Sequence, residues 1–187
     1  MAETKRFDIV IVGAGIAGSS LAAALRGEGL SIALIDAQPL VLPDLPAGCD
    51  LQQFDPRVSA LTPRSRQLLE GLDAWEAIAG YRQCPYRHMT VWDAEGTGQV
   101  EFDASEVNAP ALGHIVENRA IISALLQRVS NAGDITLFSP ARLATCSRLD
   151  CGAVCIGLED GAALEAELLV AADGAMSRVR DMMDFQT

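Results

Sequence analysis

Three glycines at fixed spacing constrain this chain more than any other feature. They stand in Gly13-Ala14-Gly15-Ile16-Ala17-Gly18, a G-x-G-x-x-G run. Phe7 to Val12, just before it, is rich in β-branched residues and reads as a buried strand. Ala17 to Leu25 is rich in Ala and Leu and reads as a helix. A second strand, Ser31 to Ile35, ends in Asp36, 18 residues beyond Gly18. Strand, glycine turn, helix and a strand ending in an acid form the opening unit of a dinucleotide-binding α/β sheet. In such a unit Gly13 permits the tight turn, Gly15 lets a pyrophosphate approach the backbone, and Gly18 lets the helix pack on the strand. The helix start offers free N–H groups and a positive dipole end to phosphate. Asp36 is placed to accept hydrogen bonds from ribose hydroxyls. Its charge would repel a 2′-phosphate, which disfavours NADP. The spacing alone does not separate NAD from FAD.

A rival reading of the same stretch is a targeting segment. Lys5-Arg6 precedes an apolar run from Ile9 to Leu25, the outline of a signal peptide. Asp8 interrupts its start, the glycines fall at fixed spacing inside it, and its character changes midway from strand to helix. These features favour the nucleotide-binding unit. The run is also slightly short for a transmembrane helix, which needs about 20 apolar residues. The expectation is a cytoplasmic protein with no transmembrane segment. Lys plus Arg number 14 against 25 Asp plus Glu, a formal charge of -11. That balance argues against nucleic acid as a partner, because such binding depends on neutralising phosphates. Five cysteines, Cys49, Cys84, Cys146, Cys151 and Cys155, show no CxxC pair. They read as reduced thiols packed as small hydrophobes, and no metal site is expected.

A chain of 187 residues is one domain, or one plus a fragment. Beyond Asp36, Pro39 to Asp55 reads as a loop. Thr62 caps an expected helix from Pro63 to Leu72, with Pro63 at its first position. A short helix is expected over Ala74 to Ile78. Tyr86 to Trp92 and Gln99 to Phe102 read as two strands joined by a turn at Ala94 to Gly98. Glu117 to Ser130 is a helix with Ile121, Ile122, Leu125, Leu126 and Val129 on one face. Ile135 to Phe138 is a short strand. Val154 to Leu158 and Ala163 to Glu167 alternate around Glu159-Asp160-Gly161, the pattern of a hairpin. Leu168 to Ala172 reads as a buried strand running into Asp173-Gly174. Trp75 and Trp92 are expected to be core or half-buried, and His114 to be packed or solvated. Such elements fit a central parallel sheet with a smaller antiparallel β layer.

Three segments together resemble one family. They are the fingerprint ending in Asp36; Arg57-Val58-Ser59-Ala60-Leu61 with Leu112-Gly113-His114-Ile115-Val116-Glu117-Asn118; and Ala171-Ala172-Asp173-Gly174-Ala175-Met176-Ser177-Arg178-Val179-Arg180. The chain resembles the aromatic-ring flavin hydroxylases of the p-hydroxybenzoate hydroxylase type. Within them it is most similar to the ubiquinone-biosynthesis hydroxylases. The segment Leu112 to Asn118 is the most specific for that branch.

The resemblance implies a Rossmann-like FAD-binding fold, FAD as cofactor and NAD(P)H as electron donor. It implies hydroxylation of the aromatic ring of a polyprenylated phenol or quinol, with other ubiquinone-pathway proteins as further partners. It also implies roles by position. Gly13, Ala14, Gly15, Ile16, Ala17 and Gly18 would hold the pyrophosphate, and Asp36, where the family usually has Glu, the adenosine ribose. Arg57 would contact the flavin side, Arg119 would approach the ribityl chain, and Asp173 would touch FAD. Met176 stands where the family usually has Asn. No catalytic side chain is expected within the chain. It is expected to be a single FAD-binding domain over residues 1–187, ending before the substrate-binding sheet and the last flavin motif and inactive by itself. Two alternatives stay open on the residues alone. One is an NAD-dependent Rossmann oxidoreductase, which the absence of a Ser-Tyr-Lys set disfavours. The other is a non-catalytic nucleotide-binding or assembly module.

Overall fold

A computed structural model describes residues 4–46 and 51–186. Cys49, one of the five cysteines, lies outside the described residues. In chain order the strands and helices are β1 (Lys5–Val12), α1 (Ile16–Leu25), β2 (Ile32–Ile35), β3 (Val58–Leu61), α2 (Pro63–Gly71) and α3 (Trp75–Tyr81). Next come β4 (Cys84–Tyr86), β5 (His88–Trp92), β6 (Gln99–Asp103), β7 (Gly113–Glu117) and α4 (Asn118–Ser130). The chain closes with β8 (Ile135–Phe138), β9 (Leu143–Arg148), β10 (Val154–Leu158), β11 (Ala163–Ala171) and α5 (Arg178–Met182). Short 3-10 turns cover Leu51–Gln53 and Ala104–Val107. The chain divides into two compact units, Met1–Leu42 with Leu125–Thr187, and Pro43–Ala124.

The first unit is built on a six-stranded sheet of order β8-β2-β1-β11-β10-β9. Its first four strands run parallel, and β10 and β9 add an antiparallel edge. Central strands of a parallel sheet are covered on both faces, so they read as continuous apolar runs. The ends Ile9 to Val12 of β1 and Ile32 to Ile35 of β2 are accordingly buried residue by residue. Val10, Val12, Ala33, Ile35, Ile156 and Leu164 belong to one core cluster, which Val179 of α5 joins. β1 pairs with β11 from Lys5↔Leu164 to Val12↔Ala171, so the first strand of the chain lies beside the last.

Here the structure departs from the pattern reading. Ala163 to Glu167 and Leu168 to Ala172 are not two strands but one, β11, held to β1 along almost its whole length. The antiparallel partner β10 reaches only Ala166. Past that point β11 loses a neighbour, and Leu168 is 51% exposed rather than buried. The strand β9 and the helix α5 have no counterpart in the pattern reading, because β9 (Leu-Ala-Thr-Cys-Ser-Arg) has one large apolar residue and α5 spans barely one turn.

The second unit carries a three-stranded antiparallel sheet, β3-β7-β4, and a two-stranded one, β5-β6. Thr62 caps α2 as its sequence predicts, its hydroxyl accepting from Ser65 N at 3.2 Å. Tyr86 to Trp92 is not one strand. The chain passes from β4 to β5 at Arg87, between two different sheets. The Tyr86 carbonyl accepts from Leu112 N and the Arg87 carbonyl from Ala104 N, each at 2.9 Å. Gly113 to Glu117 is the central strand of the three, so Glu117, expected to open a helix, ends a strand and the helix starts at Asn118. Trp75 is buried at 7% exposure, while Trp92, expected to be at least half-buried, is 69% exposed. Of the described cysteines, Cys84 and Cys151 are exposed and Cys146 and Cys155 half-buried, so two of the four do not pack as small hydrophobes. On the β5-β6 ribbon, Met89 faces Phe102 and Val91 faces Val100 on one side, all four exposed. No described helix is long and apolar enough to cross a membrane.

Candidate functional site

The glycine loop joins β1 to α1 in the first unit, and its three glycines answer to three different demands. Gly13 has φ +101°, a backbone state that side chains rarely adopt. A Cβ there would strike the Ala172 carbonyl and come within 2.8 Å of Asp173 N. At Gly18 a Cβ would strike the Gly13 carbonyl and lie 3.2 Å from Ala172 Cβ. Both glycines are therefore required by the protein's own packing. Gly15 differs. Its φ is -68°, which any residue adopts, and no described residue beyond its chain neighbours lies within 4 Å of its Cβ position. The fold itself does not require glycine there. The open space beside the first turn of α1, which no side chain caps, suits a ligand that comes close to main chain. This is the fit expected for a dinucleotide pyrophosphate.

The loop is held in shape by bonds that reach across the unit. Gly13 N donates to the Ile35 carbonyl at 2.7 Å and Ala172 N to the Val12 carbonyl at 2.8 Å. The buried hydroxyl of Ser19 donates to the Ala14 carbonyl at 2.9 Å. Asp36, at the end of β2, takes part directly. Its Oδ2 accepts from Ala14 N and its Oδ1 from Gln38 N, both at 2.8 Å. An ionised carboxylate has about four acceptor positions. With two of them filled, Asp36 keeps capacity for ribose hydroxyls while fixing the loop. The shorter side chain, one methylene less than Glu, sets its carboxylate against the loop itself.

Beside these groups lies a pocket of about 170 Å³, lined by Gly13, Asp36, Ala37, Arg142, Asp173 and Arg178 among others. That is smaller than the roughly 300–1,000 Å³ of drug-sized ligand sites, so it suits one end of a dinucleotide. Asp173 follows β11, and its backbone N abuts Gly13. Its carboxylate accepts from Ser177 Oγ at 2.6 Å, Arg178 N at 2.7 Å and Val179 N at 3.3 Å. The side chain thus closes the turn before α5, and its main chain is the part that borders the glycine loop. Met176 is exposed.

The remaining two expected site residues belong to the second unit. Arg57 is exposed. Its N–H donates to Asp55 Oδ1 and its carbonyl accepts from Asn118 N, each at 2.9 Å. Arg119 is half-buried and bound within the unit. Its Nε donates to Glu117 Oε2 at 2.6 Å, and its Nη2 to Tyr81 Oη at 3.1 Å and to the Gln53 carbonyl. Glu117 also takes Arg82 Nη1 on Oε1 at 2.9 Å. Burial pushes the Glu117 carboxyl up, but hydrogen bonds from Arg82 and Arg119 outweigh it and hold its pKa below the usual value. Sequence reasoning took Glu117 as the first residue of a helix and passed over Arg82. The available signal was a charged residue closing the apolar strand from Gly113 to Val116. His114 packs edge-on against Trp75, centroids 5.3 Å apart. Burial, helped by the Arg66 cation, lowers its pKa.

Residues 6–187 match the profile of a family described as FAD binding domain. Among curated proteins, the 3-demethoxyubiquinol 3-hydroxylase of Escherichia coli is 38% identical over 176 residues, covering 94% of this chain and 43% of the relative. The ubiquinone biosynthesis monooxygenase COQ6 of Drosophila melanogaster is 32% identical over 192 residues, covering 97% of this chain and 39% of the relative. This chain spans about two fifths of the length of such relatives. Among solved structures, PqsL of Pseudomonas aeruginosa, a probable FAD-dependent monooxygenase, gives a TM-score of 0.72 at 19% identity, covering 98% of this chain and 47% of that one. The flavin-dependent monooxygenase PieE, in complex with FAD and substrate, gives 0.73 at 17% identity, covering 98% and 33%. At such identities the likeness is one of fold.

Proposed function

Since the chain belongs to the FAD binding domain family, we propose that it holds FAD for an NAD(P)H-dependent hydroxylase of the aromatic ring of a polyprenylated phenol or quinol. The observation that carries the cofactor part is the open space at Gly15, beside the uncapped start of α1, which no described residue beyond its chain neighbours fills. Main-chain groups from Gly13 through Gly18, with Ala14, Ile16 and Ala17 between the glycines, cradle the pyrophosphate. Asp36 orients the adenosine ribose and keeps the loop fixed through Ala14 N. Arg57 serves the flavin side, as does Asp173 through its main chain; Arg119, whose guanidinium is bound by Glu117, Tyr81 Oη and the Gln53 carbonyl, serves it by holding the loop that leads to Arg57. Bound FAD supplies the redox chemistry that activates dioxygen, while the protein binds, orients and shields it. The substrate class and the link to ubiquinone-pathway partners rest on the curated relatives. Within this reading the protein is cytoplasmic and meets its substrate at the inner membrane surface.

An absorption and fluorescence titration of the purified chain with FAD, then with NAD, tests the cofactor. A yellow complex that quenches flavin fluorescence is the expected result; tight NAD binding without flavin affinity would overturn it. Asp36→Ala is expected to weaken FAD binding by about 1–3 kcal/mol, because ribose hydroxyls and Ala14 N lose their acceptor. Unchanged FAD affinity in that variant would remove Asp36 from the site.

A further inference from the structure

A buried carboxylate stands where the second unit's long loop meets its sheet. Glu117 ends β7 and is 4% exposed. It binds Arg82 Nη1 through Oε1 at 2.9 Å, and Arg119 Nε at 2.6 Å and Asp55 N at 3.2 Å through Oε2. The two guanidiniums then take hold of loop main chain. Both donate to the Gln53 carbonyl, and Arg82 Nη2 also donates to the Pro46 carbonyl at 3.1 Å. Arg82 lies over the rings of Phe54, 4.3 Å to the centroid, and Tyr81, 4.7 Å. From Asp55 the tie passes on. Asp55 Oδ1 accepts from Arg57 N, the Arg57 carbonyl accepts from Asn118 N, and Asn118 Oδ1 accepts from Ser59 Oγ at 2.6 Å. Val58, next in the chain, is registered opposite Glu117.

Bonds of this kind on main chain set where a side chain leaves the fold. A flexible loop would have to be ordered when ligand binds, and that ordering costs affinity. We infer that Glu117, with Arg82 and Arg119 on either side, is a positioning residue that clamps the segment from Gln53 to Arg57 and so holds Arg57 ready for the cofactor. The inference rests on the reading of Arg57 as a flavin-side contact. Glu117 itself acts only through the loop.

A double-mutant cycle in the full chain tests this, read by FAD titration together with tryptic cleavage after Arg57 in the flavin-free protein. Arg57→Ala and Glu117→Gln are each expected to weaken FAD binding about tenfold, and the double variant no further than Arg57→Ala alone. Cleavage at Arg57-Val58 is expected to be about tenfold faster in Glu117→Gln, with cleavage after the distant Arg148 unchanged. Multiplying losses in the cycle, or an unchanged cleavage rate, overturns the positioning role even where Arg57 proves to bind FAD. An Arg57→Ala variant that binds FAD like the parent removes the cofactor reading of Arg57 and the inference with it, whichever way cleavage goes. Should circular dichroism show that Glu117→Gln does not fold, Arg82→Lys takes its place. That variant keeps the charge and loses the two-pronged grip.

Discussion

Gly18→Ala is expected to destabilise the folded chain by about 3 kcal/mol, the upper part of the usual cost of overpacking. The methyl group would meet the Gly13 carbonyl, which is backbone and cannot rotate away. Retreat is blocked as well, because Gly13 is itself pressed against Ala172 and Asp173. For a chain of this size that loss corresponds to a drop of roughly 6–12 °C in melting temperature. Gly13→Ala should behave in the same way, with the strain of its positive φ added. Gly15→Ala is the contrasting case. With open space and an ordinary φ, it should change stability by no more than about 0.5 kcal/mol, while FAD affinity falls at least about tenfold. Thermal melts of the three variants beside FAD titrations separate the two kinds of glycine. A Gly15→Ala protein that binds FAD like the parent shows that no ligand uses that space. A Gly18→Ala protein that melts like the parent shows that the helix simply moves aside.

Glu117→Ala should cost about 3–5 kcal/mol, the range for removing one partner from a buried ion pair. Two guanidiniums would keep their positions with no carboxylate between them, and Asp55 N would lose its acceptor. The same group gives stability a pH dependence of definite sign. Its folded pKa lies below the unfolded value of about 4.3, held there by Arg82 and Arg119 against the opposing effect of burial. Its contribution is therefore complete above the unfolded value and is lost as pH falls through the lower, folded one. Denaturant midpoints measured from pH 6 downward should fall more steeply below about pH 4.3 in the parent than in Glu117→Gln. Parallel curves would show that Glu117 keeps no depressed pKa in the folded chain.

How far the sequence reveals this molecule varies with the range of the interactions. The loop from Gly13 to Gly18, with β1, α1 and β2, was legible because glycine spacing and the change from β-branched to Ala- and Leu-rich residues are local patterns, even though Gly13 and Gly18 pack against the distant Ala172. The cap at Thr62 was legible because it too is a local pattern. The single strand β11 was not. Its alternating first half and its apolar second half look like two elements until the partners are known. One half lies between β10 and β1, and the other keeps β1 alone. Tyr86 to Trp92 erred the other way, since no local signal at Arg87 tells one sheet from two. In the site, Asp36 was found by spacing, but its bond to Ala14 N was not, because a hydrogen bond 22 residues long leaves no pattern. Arg119 was singled out as a cofactor contact, and its guanidinium is held by Glu117 and the Gln53 carbonyl. That cluster joins residues from Pro46 to Arg119 and could be read only from their positions in space.

The pairing of β1 with β11 has a consequence for how this protein comes into being. The surface against which Gly13 packs is Ala172, just past the end of β11, and it leaves a ribosome 159 residues after Gly13. Until then β1 has β2 on one side and an open edge on the other. Closure over so long a loop is entropically costly and kinetically slow. The nucleotide cradle begun at Gly13 is closed only after Ala172 has been made. During that interval an unpaired apolar edge is open to association with other chains.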